Sequence, residues 1–258
     1  MTLTGRLVRA LAATVAAAVV VVGCSAGEQA AAPAGRTTGG SDSATPSAGP
    51  TATPDPRVYV AVGASETVGV GADDPRDAWP QVLHDAELPG ATLVNLGVSG
   101  ATVQDALRTQ LPRALAAEPD VVTVWLVVND IVGGVPVKAY ESRLQRLVRE
   151  LRRGGRTEVL LGNAPAVWRL PAYQACLPGA NGREVPCLLP LVPAESEVKA
   201  VTAAFNAAVE RVASREGATL VDLSARRELA GLTAADGFHP STAGHREIAE
   251  VFASRLGA

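Results

Sequence analysis

Val58-Tyr59-Val60-Ala61-Val62-Gly63 decides the fold: five apolar residues, three of them β-branched, stop at a glycine, the pattern of a short buried strand running into a turn. Working outward, similar runs recur at residues 92–96, 121–128, 158–161 and 219–223, which predicts five strands. Between them Tyr140, Leu144, Leu147, Val148 and Leu151 repeat at helical spacing, and Val198, Val201, Phe205, Val209 and Val212 do the same. Arg143, Arg146, Arg149 and Arg152 fill the remaining faces of the first of these helices, as a solvated surface does. Nearly all-apolar strands alternating with helices indicate an α/β fold with a parallel sheet covered on both faces. In such a sheet the functional groups gather at the carboxyl ends of the strands.

The chain has 258 residues, 47% of them hydrophobic and 19% charged, which excludes a wholly disordered protein. Its 23 Lys plus Arg against 26 Asp plus Glu give a net charge of -3, no footprint for a nucleic-acid partner. Residues 1–24 read as an export signal, because Arg6 and Arg9 precede an apolar run, residues 10–22, too short to span a bilayer of about 30 Å. The run ends Val21-Val22-Gly23-Cys24, which resembles the lipobox of bacterial lipoproteins. That resemblance implies lipidation at Cys24, a membrane partner through the anchor, and a place at the bacterial cell envelope on the outer face of the cytoplasmic membrane. Residues 25–56 are mostly Ala, Gly, Ser, Thr and Pro; they cannot bury enough apolar surface to offset their ordering entropy and are expected to form a disordered tether. The folded domain is expected over residues 57–258. With Cys24 lipidated, Cys176 and Cys187 remain as a pair in an exported domain, which predicts one disulfide. Two sulfurs at this spacing lack His or Cys partners for a metal site, so no metal is expected there.

Four stretches at the strand ends carry candidate chemistry. Gly63-Ala64-Ser65 follows the first run and exposes a serine hydroxyl beside backbone N–H groups; its glycines fit neither a Walker loop nor a dinucleotide fingerprint. Gly97-Val98-Ser99-Gly100 follows the second, and Val127-Val128-Asn129-Asp130 follows the third; a glycine N–H and an asparagine amide are suited donors for a developing oxyanion. Asp236-Gly237-Phe238-His239 places a carboxylate three residues before an imidazole, the pairing that makes a serine hydroxyl nucleophilic. His84 and His245 lie within predicted helices without such neighbours and are read as structural.

Taken in order, Ser65, Gly100, Asn129 and Asp236 with His239 resemble the blocks of the SGNH hydrolases, the GDSL lipases and esterases. The resemblance spans residue 57 to the C-terminus. It implies a flavodoxin-like three-layer α/β/α sandwich with a five-stranded parallel sheet. It also implies hydrolysis of a carboxylic ester, of lipid or acylated-sugar type, through an acyl-serine and without a cofactor. Ser65 would be the nucleophile, His239 the general base and acid, and Asp236 its orienting carboxylate. The oxyanion hole would be Ser65 N–H, Gly100 N–H and the Asn129 side chain. Two departures stand out: Ala64 replaces the family's aspartate beside the nucleophile, and Val127 replaces the glycine two before the asparagine. Neither removes a reacting atom; both bear on rate and pocket shape.

Two rival readings use the same residues: a non-catalytic glycan- or lipid-binding envelope lipoprotein, and an acyltransferase that passes the acyl group to a sugar hydroxyl. The expected partner is a small-molecule ester and the expected state a monomer. Trp79 and Trp125 lie within predicted elements and are assigned to the core, whereas Trp168, after the fourth strand, is the candidate pocket wall.

Overall fold

A side chain on Gly63 would lie 1.9 Å from Thr67 Oγ1, so glycine is what lets strand β1 (Val58–Gly63) turn directly into the short helix α1 (Ser65–Val68). The computed structural model describes residues 57–180, 185, 187 and 192–257. The export-signal, Cys24 and tether readings, on residues 1–56, lie outside the described residues.

Beyond α1 come α2 (Trp79–Glu87), β2 (Thr92–Asn95) and α3 (Val103–Asp105), which a π-helical turn at Ala106–Gln110 joins to α4 (Leu111–Ala116). Next are β3 (Val121–Trp125), α5 (Val128–Val132), α6 (Val137–Arg152) and β4 (Glu158–Gly162). Last come α7 (Pro171–Gln174), α8 (Glu195–Glu216), β5 (Thr219–Val221) and α9 (Thr242–Ala253).

The five strands form one parallel sheet in the order β2-β1-β3-β4-β5. Right-handed crossovers in that order put the β1–β2 helix on one face and the helices after β2, β3 and β4 on the other. The packing agrees. Trp79 of α2 stacks on Phe252 of α9 at 4.4 Å, and Tyr140 of α6 meets Phe205 of α8 at 4.7 Å. This is the three-layer α/β/α sandwich the sequence resemblance implies. Both helix pairs close over strand residues, such as Tyr59, Val60, Val122 and Val124, that are wholly removed from water.

The third strand is shorter than its apolar run. Gly63 opposite Trp125 is the last rung between β1 and β3; beyond it β3 has lost that neighbour, and Val128 already opens α5. Leu126 stays buried because the Tyr140 hydroxyl donates to its carbonyl at 2.9 Å. Both helices read from hydrophobic spacing are present, each longer than its apolar marks. Cys176 and Cys187 are disulfide-bonded. His245 is a buried pin: Nδ1 accepts the Trp79 N–H at 3.3 Å and Nε2 donates to the Val70 carbonyl at 3.1 Å. Burial lowers its pKa, in keeping with a neutral imidazole. Among the described residues no helix is long and apolar enough to cross a membrane.

Candidate active site

Ser65 opens α1, and as the first helical residue its N–H has no carbonyl four positions back to bond. The turn before it is clamped by Gln110, whose amide accepts the Gly63 N–H and donates to the Gly63 carbonyl, both at 2.9 Å. Gln110 ends the π-helical turn, and its side chain is buried against β1. Downstream, Gly71 has φ +95°, and a Cβ there would lie 2.2 Å from the Pro240 carbonyl and 3.2 Å from His239 Cβ. The loop leaving the serine helix therefore lies directly against the histidine segment.

That segment is a tight turn closed by an antiparallel bridge between Thr233 and Pro240. Asp236 Oδ1 accepts the N–H groups of Phe238 (2.9 Å) and His239 (3.0 Å), while Oδ2 pairs with His239 Nδ1 at 2.5 Å. Donation from Nδ1 leaves Nε2 as the acceptor of the neutral imidazole. Partial burial pushes the Asp236 pKa up, but the His239 imidazole and the two N–H groups outweigh it and hold the carboxyl below its ordinary range. Gly237, at φ +68°, would with a Cβ approach Ala172 N at 2.9 Å and Val185 Cγ2 at 3.0 Å. The start of α7 and the disulfide-closed stretch thus back the turn.

On the other side, Asn95 ties the end of β2 to α1 by donating to the Thr67 carbonyl at 2.6 Å. Gly100 is exposed at φ +78°, with open space where a Cβ would be, so glycine is needed there for the backbone and not for packing. Asn129 Nδ2 donates to the Ala101 carbonyl at 3.0 Å. This uses one of its two N–H bonds and fixes the amide plane. The next residue, Asp130, is fully buried and accepts the Val103 N–H at 2.9 Å. Asn129 and Asp130 together fasten the Gly100–Val103 stretch to α5.

Between these parts lies a cleft of about 470 Å³, its open mouth included, walled by Trp125, Val128, Val167, Leu170 and Phe238. A smaller recess of about 200 Å³ lies among Ala64, Trp125, Val127 and Asn129. Both departures from the family pattern, Ala64 and Val127, face this recess. Val127 has φ -148°, so its backbone demands no glycine. Trp125 belongs to the core, as expected, and is also shared by both cavities.

Glu66 also lines both cavities, and the sequence reading passed over it. Its side chain is nine-tenths buried, and Ser65 Oγ donates to its Oε2 at 3.3 Å. Burial raises the Glu66 pKa, opposed by its own N–H, the nearby His239 and the Ser65 hydroxyl. The serine hydroxyl therefore rests on Glu66 and not on His239; catalytic hydrogen bonds commonly tighten only around substrate. Gln110 and Gly71 were missed as well. Only Glu66 left a signal: a charged residue in an otherwise small and apolar turn.

Trp168 is not among the residues that wall the cleft. It sits in a three-residue 3₁₀ turn, Val167–Arg169, with Lys199 Nζ 5.8 Å from its ring centroid. Three residues per turn put Val167 and Leu170 on one side, and these two wall the cleft in its place. Among the described residues no group of three His, Cys, Asp or Glu is placed to hold a metal ion.

An arylesterase of Vibrio mimicus is 32% identical over 88 residues, covering 33% of this chain and 44% of the arylesterase. The chain thus matches less than half the length of that curated relative. TesA has a TM-score of 0.58 at 24% identity, covering 78% of this chain and 98% of its own. The psychrotrophic esterase EstA of Pseudoalteromonas sp. has a TM-score of 0.57 at 19% identity, covering 78% and 96%. Residues 61–247 match the GDSL-like Lipase/Acylhydrolase family, to which this chain belongs.

Proposed function

We propose that the protein is a serine ester hydrolase that cleaves a carboxylic ester through an acyl-Ser65 intermediate. The observation that carries this reading is the Asp236–His239 pair, oriented through Nδ1 and set against the Ser65 loop at Gly71. His239 Nε2 takes the hydroxyl proton as Ser65 Oγ attacks the ester carbon. The carbonyl oxygen gains charge and is met by the N–H groups of Ser65 and Gly100 and by the free N–H of Asn129. Collapse breaks the bond to the alcohol oxygen, which leaves with the proton from His239. Water then attacks the acyl-serine, giving its proton to His239, which returns it to Ser65 as the acid departs. The apolar cleft suits an ester with a hydrocarbon portion, of lipid or acylated-sugar type.

We also propose, from the resemblance of Val21-Val22-Gly23-Cys24 to a lipobox, that the enzyme is held outside the cytoplasmic membrane by lipid on Cys24. Two or three acyl chains hold a protein firmly on a bilayer. Cys24→Ser should shift it from the membrane to soluble or unprocessed fractions, and identical partitioning of both forms removes the anchor.

The deciding test is a fluorophosphonate on the full-length protein. EstA was solved inhibited by monoethylphosphonate, a related phosphorus reagent. Labelling at Ser65 with cleavage of short p-nitrophenyl esters, both lost in Ser65→Ala, supports the reading. A folded protein that takes no label and cleaves no ester, yet binds a glycan or lipid, overturns it in favour of a binding lipoprotein.

A further inference from the structure

We infer that Glu66 is a specificity-determining residue, selecting esters whose alcohol portion carries a hydrogen-bond donor close to the ester oxygen. The inference rests on the serine-hydrolase reading of the same site. Glu66 follows the nucleophile directly, is nine-tenths buried, and borders both the cleft and the recess beside Asn129. Among the described residues no Lys or Arg pairs with it. Its only side-chain hydrogen-bond partner there is the Ser65 hydroxyl, at a long 3.3 Å.

A buried carboxyl in such a setting is costly, and a purely structural one is normally surrounded by donors. Apart from its own N–H, Glu66 meets a mostly apolar wall of Trp125, Val128, Val167, Leu170 and Phe238, and although Thr233 and Asn129 also line the two cavities, neither is hydrogen-bonded to it. It is not the N-cap residue, which is Ala64 with no side-chain cap, and the one first-turn N–H it accepts is its own. With only its own N–H and a long bond from Ser65, the carboxyl has room for a further donor from what enters the cleft. Once Ser65 gives its proton to His239, Glu66 also loses its one side-chain donor, so a substrate that supplies another is favoured in the transition state and not only on binding.

The side of the ester is set by the same geometry. Phe238 and Pro240, which flank His239, line the cleft together with Glu66. His239 delivers the proton to the leaving alcohol, so that wall faces the alcohol portion. A hydroxyl or an ammonium would satisfy the carboxyl equally in kind, whereas an anionic group there would meet like charge.

The test compares esters of matched shape on full-length protein. Ethylene glycol monoacetate and propyl acetate differ by a hydroxyl in place of a methyl group. Acetylcholine and its carbon isostere, with tert-butyl in place of trimethylammonium, differ only in charge. A hydrogen bond to a charged group predicts that wild type favours the glycol ester over the propyl ester by roughly tenfold to a hundredfold in kcat/KM. Glu66→Leu should erase or reverse that preference. Glu66→Gln, which keeps an acceptor, should retain part of it while losing any preference for choline over its isostere.

A choline preference without a glycol preference would mark Glu66 as a charge site only and overturn the donor assignment. Unchanged ratios in Glu66→Leu overturn the inference outright, as does a pair of folded variants that cleave none of the esters, since Glu66 would then serve the chemistry and not selection. If Leu fails to fold, the ratios of the Gln variant decide. Wild type that cleaves no ester at all would instead sink the hydrolase reading.

Discussion

Asp236 holds His239 twice, accepting its backbone N–H at Oδ1 and its imidazole Nδ1 at Oδ2, so one carboxylate sets both the turn and the ring. Asp236→Asn separates these functions. An amide oriented to keep its oxygen on the two N–H groups turns its NH₂ toward Nδ1, which then becomes the acceptor and leaves the proton on Nε2, where Ser65 needs a base. The turn should survive and kcat for p-nitrophenyl esters should fall by roughly 10³–10⁴. A drop of less than tenfold in a folded variant would show that the carboxylate does not set the tautomer.

Asn129 joins two donors of the proposed oxyanion hole, because its amide also holds the Ala101 carbonyl next to Gly100. Asn129→Ala should lower kcat by about 10²–10³ with much less change in KM, since the bond strengthens as charge develops. Gly100→Ala keeps the N–H and meets open space, but forces a side chain into the left-handed region. It should cost stability of about 1 kcal/mol by chemical denaturation with a far smaller loss of kcat. If Asn129→Ala moves only KM, the amide binds substrate and does not stabilise the oxyanion.

The legible parts of this molecule are those fixed by neighbours in sequence. The five strands follow from apolar runs, and the Asp236–His239 pair follows from a three-residue spacing that one turn of chain closes by itself. The end of β3 was not legible, because an apolar run reads alike whether it continues as a strand or bends into a buried link and helix. What stops it is the end of β1 beside it. Glu66, Gln110 and Gly71 were hidden for the same reason: each acquires its role from a partner or a cavity wall distant in sequence. Trp168 does not wall the cleft, and an aromatic's place after a strand does not say which side of a 3₁₀ turn it occupies.

The disulfide should matter to chemistry as well as to stability. Val185, inside the Cys176–Cys187 stretch, lies 3.0 Å from where a Gly237 Cβ would be, and Gly237 sits between the two residues of the dyad. Replacing both cysteines by serine should cost roughly 2–3 kcal/mol in the chain-entropy account. It should also lower kcat more than KM by loosening the back of the turn, and it should shift acyl-chain preference if the stretch borders the bound ester. A double variant that melts earlier but keeps its kcat at assay temperature would confine the disulfide to stability.

Asp130 should make folding depend on pH in the direction opposite to a salt-bridged carboxylate. It is fully buried, and burial lifts its pKa from an ordinary value near 4 to about 6, with only the Val103 N–H and distant charge opposing. Its Oδ1 has no hydrogen-bond partner among the described residues. The folded state therefore holds the Asp130 proton more tightly than the unfolded state does. Stability from this group is greatest below its unfolded pKa and is lost as pH rises through the folded value, by at most about 3 kcal/mol. Asp130→Asn keeps a carbonyl for Val103 and removes the charge. Its stability relative to wild type should rise between about pH 4 and about pH 7 by roughly 2–3 kcal/mol, even if the unpaired NH₂ makes the variant the weaker of the two at the acid end. Urea denaturation of both proteins at several pH values reads that difference directly. A constant gap across the range would mean that Asp130 ionises in the fold as readily as in the unfolded chain, and that its tie to Val103 stabilises the charge enough to offset burial.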